Sequence, residues 1–489
     1  MSRRCLLIAA FAILPAFAEE AVTTAPVTPS APVVAPAENQ TLFDRVLELN
    51  KIEEPDLDAE SMRKSFKELC DKATAALANA DTPQKKVAAL NKVLLADRQV
   101  SYLSNKYWRD ASLAASLLRA RGNCLSTSTL YVLIGDALKL PIKMVLVPRH
   151  AFARWDDGKT QINIETTNKG RQLSDADYLE KEEALPEDIA RLHWCSSLDN
   201  GGFLAELTIV AARHRIGENK LTEALELWEQ AEKLAPYRTD LALEHFQLMA
   251  DLTGQRSEAR AKVEALLKST PAPPPTVATN ALLHLAADAA GRGEHEQERV
   301  MLLTAFQRAP KTSMPHVLSR LAFCMRALKD FRGAVRYMEL AVVLIKPGDP
   351  NLATYLYNLA ILQKNDGRLP DALKAIREAL KINPESWNLQ MLEAGYLVLN
   401  NQRDEGLAHF AKIERPAADV QFFNIMNAWF YAVSHQREKF YAEFEHALVE
   451  AKSTHILEWI DQDVDLDDYR KEPEFKALVE KHAPRLRGK

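Results

Sequence analysis

Glycine is scarce in this chain, with sixteen among 489 residues. A loop-rich β protein spends glycine at its turns, so the shortage points to a helix-rich fold. Cysteine is scarce too. Five are present, Cys5 and then Cys70, Cys124, Cys195 and Cys324. The last four, in a chain this long, are no disulfide framework, and their spacings of 54, 71 and 129 match no zinc pattern. Charge of one sign is missing as well: the formal net charge is −5, and nothing resembles the basic footprint of a nucleic-acid binder. After the first eighteen residues no stretch reads as a membrane span, which needs roughly 20 apolar residues.

What is present begins with a processing signal. Arg3 and Arg4 precede an apolar run, Leu6 to Ala18, broken by Pro15, and Ala16-Phe17-Ala18 is a small-x-small cleavage site. Residues 1–18 are therefore expected to be a secretory signal peptide, the alternative being an uncleaved anchor, and the mature chain to be periplasmic or secreted. Residues 19–38, with Pro26, Pro29, Pro32 and Pro36, have little to bury and read as a disordered Pro/Ala-rich tether. Beyond it the chain is ordinary globular material, 47% hydrophobic and 26% charged, long enough for two to four domains.

From residue 39 to 203 the pattern is mixed. Apolar periodicity predicts helices from about Leu42, from Ala59 to about Leu77, from Thr82 to about Leu95, and from Ala111 to Arg119. Leu125 to Leu138 is an apolar helix stopped by Pro141. Three β-rich runs follow, Ile142–Val147, His150–Trp155 and Gln161–Thr166, with a turn signal at Asp156-Asp157-Gly158. Helices followed by an antiparallel sheet make this an α+β domain.

From 204 to 450 the strands vanish and a frame repeats. It reads Ala224, Trp228, Ala231, Pro236, with offsets of 4, 3 and 5. It returns at Ala259, Val263, Leu266, Pro271; at Glu298, Leu302, Ala305, Pro310; at Ala334, Met338, Ala341, Pro347; at Ala372, Ile376, Ala379, Pro384; and weakly at Gly406, Phe410, Ile413. Small residues let two helices approach, a larger one fills the gap, and proline ends the second helix. The pattern resembles the tetratricopeptide repeat, whose period is about 34 residues. Six or seven units are expected as an all-α solenoid, closed by a capping segment over 451–489 that includes Leu466, Tyr469, Pro473 and Phe475.

One constellation could carry chemistry. Asn123 is a good N-cap, which makes Cys124 the first residue of the apolar helix. A thiol there sits beside free N–H groups at the positive end of the helix dipole, which favours thiolate. The same groups could hold an oxyanion. His150 opens a strand and Glu165 lies on the next one. With a tight turn near Asp157, residues 150 and 164 would face each other. Glu165 then comes within a residue of His150 if the loop holds an extra residue or a bulge. A carboxylate there would orient the imidazole, and the imidazole would take the thiol proton.

The blocks Arg119-Ala120-Arg121-Gly122-Asn123-Cys124-Leu125, Val147-Pro148-Arg149-His150-Ala151-Phe152 and Ile162-Asn163-Ile164-Glu165-Thr166-Thr167 resemble the transglutaminase-like superfamily of papain-type (cysteine-protease-like) folds over roughly residues 95 to 170. The resemblance implies Cys124 as nucleophile, His150 as base and Glu165 as orienting acid. It also implies acyl chemistry on amides, either peptide hydrolysis or transfer to an amine, without a cofactor. The acid is Glu where most of the superfamily has Asp. Tyr107 and Trp108 are candidates to polarise the oxyanion. The repeats would bind a protein or peptide, and no partner of nucleic acid is expected.

Blander readings stand beside these. Cys124 could be a small buried hydrophobe, His150 a solvated or capping residue, Glu165 a surface acid. The domain would then be degenerate and the protein an envelope scaffold working through its repeats. His193-Trp194-Cys195 has poor metal geometry and reads as packing near the domain junction. The acidic run Asp461, Asp463, Asp465, Asp467, Asp468 lacks the glycine and terminal glutamate of a calcium loop and reads as a solvated cap.

Overall fold

The structure, a computed structural model, describes residues 40–102, 112–181, 184–416, 420–451, 456–457, 460 and 463–486. The expected signal peptide and tether, Tyr107, Trp108 and Asp461 lie outside the described residues. By packing the chain forms two compact units, dividing between Ala278 and Thr279.

The first unit begins with α1 (Leu42–Glu53), capped by Thr41, and α2 (Ala59–Leu77), capped by Asp58. In α2 the buried residues Met62, Phe66, Leu69 and Ala73 fall one turn apart on one stripe. Full burial of each large one favours folding by about 1.5–3 kcal/mol. Pro83 starts α3 (Pro83–Asn91), which continues as a π turn over Lys92–Ala96. Strand β1 (Ser101–Tyr102) pairs in parallel with β2 (Arg121–Gly122), on either side of α4 (Leu113–Leu118).

The centre is α5 (Cys124–Ala137), in which Leu125 to Gly135 are all buried. It packs on the sheet β3 (Ile142–Val147), β4 (His150–Asp156), β5 (Gln161–Ile164), antiparallel in that order. Gly135 makes the close approach possible: a Cβ there would stand 2.5 Å from Ile142 Cβ. The β4–β5 register differs from the tight-turn expectation. Asp156 pairs with Gln161 and Ala153 with Ile164, because the loop holds four residues, 157–160. Asp157 organises that loop by accepting from the N–H groups of Lys159 and Thr160. Since Arg154 pairs with Asn163, the odd residues of β5 share a face with the even residues of β4. Glu165 therefore lies on the face of His150, two positions along, rather than beside it.

After β5 come α6 (Asp175–Lys181) and α7 (Pro186–Leu192), then α8 (Asn200–Gly217), α9 (Leu221–Leu234), α10 (Thr239–Thr253) and α11 (Arg256–Leu267). The periodicity changes near residue 204, but the core does not. Phe203, Leu204, Leu207, Leu227 and Trp228 join one buried cluster with Leu47, Leu94, Leu130 and Ile164, and α8 packs on α1.

From α12 (Pro275–Gly291), which crosses the boundary between units, the chain is all hairpins: α13 (His295–Arg308), α14 (Met314–Ala327), α15 (Phe331–Leu344), α16 (Leu352–Asn365), α17 (Leu369–Ile382), α18 (Trp387–Leu399), α19 (Arg403–Phe410), α20 (Val420–Val433) and α21 (Arg437–Glu450). Ala334, Met338, Ala341, Ala372, Ile376 and Ala379 are fully buried on the second helices, and Pro310, Pro347 and Pro384 follow their ends. At Gly395 a Cβ would stand 2.2 Å from the Trp429 ring, so α18 and α20 meet only because that side chain is missing. A final helix, Pro473–Leu486, closes the unit with Leu466, Tyr469 and Phe475 buried against Phe440 and Phe444.

Candidate functional site

Cys124 stands at the first position of α5, as the capping residue foretold. Asn123 Oδ1 accepts from the N–H groups of Leu125 and Ser126, both at 3.0 Å, and Ser126 Oγ takes the Asn123 N–H in return at 3.1 Å. This reciprocal box fixes the thiol at the top of a buried helix. It also narrows the oxyanion expectation. Two of the first-turn amides are already engaged, so the amide of Cys124 itself becomes the main-chain candidate.

His150 opens β4 after the two-residue turn Pro148-Arg149, with Arg149 at φ 62°. Its Nε2 lies 2.8 Å from Glu165 Oε2, and the Cys124 side chain is near enough to influence the imidazole. With Nε2 engaged, Nδ1 is the nitrogen left for the sulfur. The three sequence-selected side chains thus form one chain of contacts, Cys124–His150–Glu165. Burial alone would push the His150 imidazolium toward deprotonation. Hydrogen bonds to Cys124 and Glu165, and the charges of both, outweigh it and raise the group to about 9. For Glu165, burial works upward, but hydrogen bonds from His150 and Thr167 and the imidazolium charge bring the carboxyl down to about 2.

The residues around Glu165 were not visible in the sequence. Its Oε1 accepts from Thr167 N–H at 2.9 Å and Thr167 Oγ at 2.5 Å, and its Oε2 from the Tyr178 hydroxyl at 2.9 Å. Tyr178, on α6, stacks on Phe152 at 4.1 Å. The extra methylene of Glu over Asp gives the carboxylate more freedom, and these three donors remove it. Beneath them Arg154, 2% exposed, donates to Asn163 Oδ1 at 2.7 Å and to the Cys195 carbonyl at 3.0 Å and pairs with Asp175. That network ties β4 and β5 to α6. Thr166 is held by Ser128 Oγ at 3.1 Å and by the Tyr102 hydroxyl, which fastens the acid-bearing segment to α5 and β1. A Thr two places after an acid is a weak local signal. Tyr178, thirteen residues on, offered none.

His193 stacks on Tyr237 at 4.3 Å and Cys195 is buried, its N–H bonded to the Leu146 carbonyl at 2.7 Å. Burial pushes the Cys195 thiol up to about 11 and the Cys324 thiol up to about 12. The acidic run departs from the solvated-cap expectation. Asp467 and Asp468 are exposed, but the side chains of Asp463 and Asp465 are only 19% and 12% exposed, turned toward Lys364.

Residues 60–191 match the family model of the transglutaminase-like superfamily. They form a transglutaminase-like domain. The match brackets the Cys124–His150–Glu165 chain and extends past the 95 to 170 span on which the motifs lie. No curated protein matches the chain. Among solved structures, the chain is similar to a tetratricopeptide repeat protein from Parabacteroides merdae (15% identity, 53% of this chain and 98% of that one, TM-score 0.40). It is also similar to the apo form of RapI (13% identity, 91% and 99%, TM-score 0.41) and to the C-terminal part of a repeat protein from Cytophaga hutchinsonii (13% identity, 50% and 97%, TM-score 0.34). The helical region after the domain resembles tetratricopeptide proteins. Its assignment rests on the hairpins and their buried frames, not on these distant superpositions.

Proposed function

We propose that the transglutaminase-like domain is a cysteine acyl-hydrolase or acyl-transferase acting on amide bonds, exported to the periplasm or beyond, with the repeats recruiting a protein substrate or partner. The observation that carries this is His150 at 2.8 Å from Glu165, with Cys124 at the start of the buried helix α5 and near enough to the imidazole to raise it. In the reaction, His150 already holds the proton as imidazolium, and the Cys124 sulfur attacks the amide carbonyl carbon. The carbonyl oxygen becomes an oxyanion facing the amide of Cys124 at the positive end of α5. As the C–N bond breaks, the imidazolium returns its proton to the leaving amine, and a thioester remains. Water gives hydrolysis and an amine gives transfer, each losing a proton to His150 as Cys124 departs. Glu165 holds the ring and stabilises its charged form.

The test is site-resolved alkylation by iodoacetamide across pH, in the wild type and in His150→Ala. Fast modification of Cys124 that persists below pH 7 and disappears without His150 supports the reading. A rate at Cys124 no faster than at Cys70 removes it, and the repeats alone would then carry the function.

A further inference from the structure

Large apolar side chains left exposed are not scattered evenly over the described residues. Ten are exposed there, and six of them are Val300, Leu303 and Phe306 on α13 and Leu340, Val343 and Leu344 on α15. Both helices pack on α14. Both bury the repeated frame, Glu298, Leu302 and Ala305 on one, Ala334, Met338 and Ala341 on the other. Counted from that frame, Val300 corresponds to Arg336, Gln307 to Val343 and Arg308 to Leu344, and all six are exposed. The exposed residues of the two helices therefore share one side of the hairpins. Ile382 on α17 holds the position of Leu344 and is exposed as well. Exposed apolar residues need no explanation singly, but a set gathered on one side marks an interaction surface.

The charges beside this patch select what it meets. Arg308 and Lys311 at the end of α13, and Arg332 and Arg336 in the first half of α15, are exposed and have no acidic partner among the described residues. The acids of the two helices are all engaged: Glu296 with Arg299 at 2.6 Å, Glu298 with His295 at 2.9 Å and Glu339 with Arg368 at 3.1 Å. The surplus charge is positive. A second copy docked through a two-fold axis would set this positive field against itself, so charge opposes self-association. Val343 is 78% exposed and Val300 60%. Side chains this far out stand proud of the surface and line no groove that could grip a peptide. Protruding aliphatic side chains beside unpaired cations suit a fluid apolar layer with an anionic face, which is a lipid bilayer. No described helix is long and apolar enough to cross a membrane, so the contact is with the interface and not through it.

We propose that the exposed side of α13 and α15 is a peripheral membrane-docking surface. Val300, Leu340, Val343 and Leu344 enter the headgroup region of an anionic bilayer, and Arg308, Lys311, Arg332 and Arg336 hold its phosphates. The proposal goes beyond the acyl chemistry and stands whether or not Cys124 is a nucleophile. The test uses residues 19–489, which keep every described element and lack the apolar run Leu6 to Ala18 that would enter lipid by itself. They are sedimented with vesicles of phosphatidylcholine, pure or with about one-third phosphatidylglycerol. Binding to the anionic vesicles should be about ten-fold tighter than to the neutral ones or more, and should weaken as salt rises. Each cation at such a surface contributes about five-fold, so Arg308→Gln/Arg332→Gln/Arg336→Gln should lose about a hundred-fold. Val343→Ser/Leu344→Ser should lose about ten-fold. All five positions are exposed, so both variants should melt with the unaltered protein. If the anionic vesicles stay unbound, as an acidic protein partner would leave them, or if the protein and both variants bind alike, the proposal is overturned. A concentration-dependent dimer in light scattering that Val343→Ser/Leu344→Ser disperses also overturns it, because a second copy would then cover the patch.

Discussion

At the scale of single residues, the site is a set of shared protons. His150 is raised to about 9 and Glu165 lowered to about 2. A raised histidine contributes stability that is whole below its unfolded value of about 6.5 and is lost as pH climbs through about 9. A lowered carboxyl contributes stability that is whole above about 4.3 and is lost as pH falls through about 2. Glu165→Gln should therefore cost more stability in urea titrations at pH 7 than at pH 10, where His150 is already neutral in the wild type. A penalty equal at both values would mean the pair is not ionic. Tyr178→Phe removes one donor to Oε2, about 1 kcal/mol by itself. Because it frees Glu165 to rotate, it should also slow Cys124 alkylation several-fold while leaving Cys70 unchanged. Equal slowing at both thiols would point to general loosening. Asn123→Ala removes the cap under Cys124 and should lower stability by about 1 kcal/mol, read as a shift in melting temperature.

At the scale of elements, local rules explain how much was legible. α2 and α5 and strands β3 and β4 fall within a residue or two of where caps, prolines and periodicity put them, because each has its stop and start signals in its own residues. The frame Ala372, Ile376, Ala379 was readable for the same reason: small and large residues alternate to suit a neighbour of the same kind. The β4–β5 register was not readable, since the four-residue loop is set by Asp157 accepting from the main chain, and a one-residue change flips every side chain. Tyr178 and Arg154 were invisible because their partners lie on other elements. Nor did the acidic run betray its direction: Asp465 points inward only because Lys364 and Trp429 stand there. Where helices touch, size decides. Gly395→Ala must push the Trp429 ring aside, since the new Cβ would lie 2.2 Å from it. About 1–3 kcal/mol of destabilisation is expected, measurable by chemical denaturation, and a neutral result would show that α20 can shift freely.

On the scale of the molecule, domain labels and cooperative units do not coincide. The transglutaminase-like match ends at residue 191, yet the core it belongs to continues through α8 and α9. A fragment of residues 40–203 would leave the shared core without Leu207, Leu227 and Trp228. Losing several such contacts, each about 1.5–3 kcal/mol, should lower its melting temperature by about 10 °C or more relative to residues 40–278. Equal melting would mean the first hairpins are passengers. The contact between α1 and α8 has one more consequence, for the order of events during synthesis. The apolar stripe of α1 leaves the ribosome about 150 residues before its partner helix exists. Until α8 is made, the amino-terminal segment has no finished core to enter. If the chain is exported, as proposed, this delay would keep it in the unfolded form that a translocation channel accepts, and the core behind α5 would be completed only after the first hairpin had followed it across.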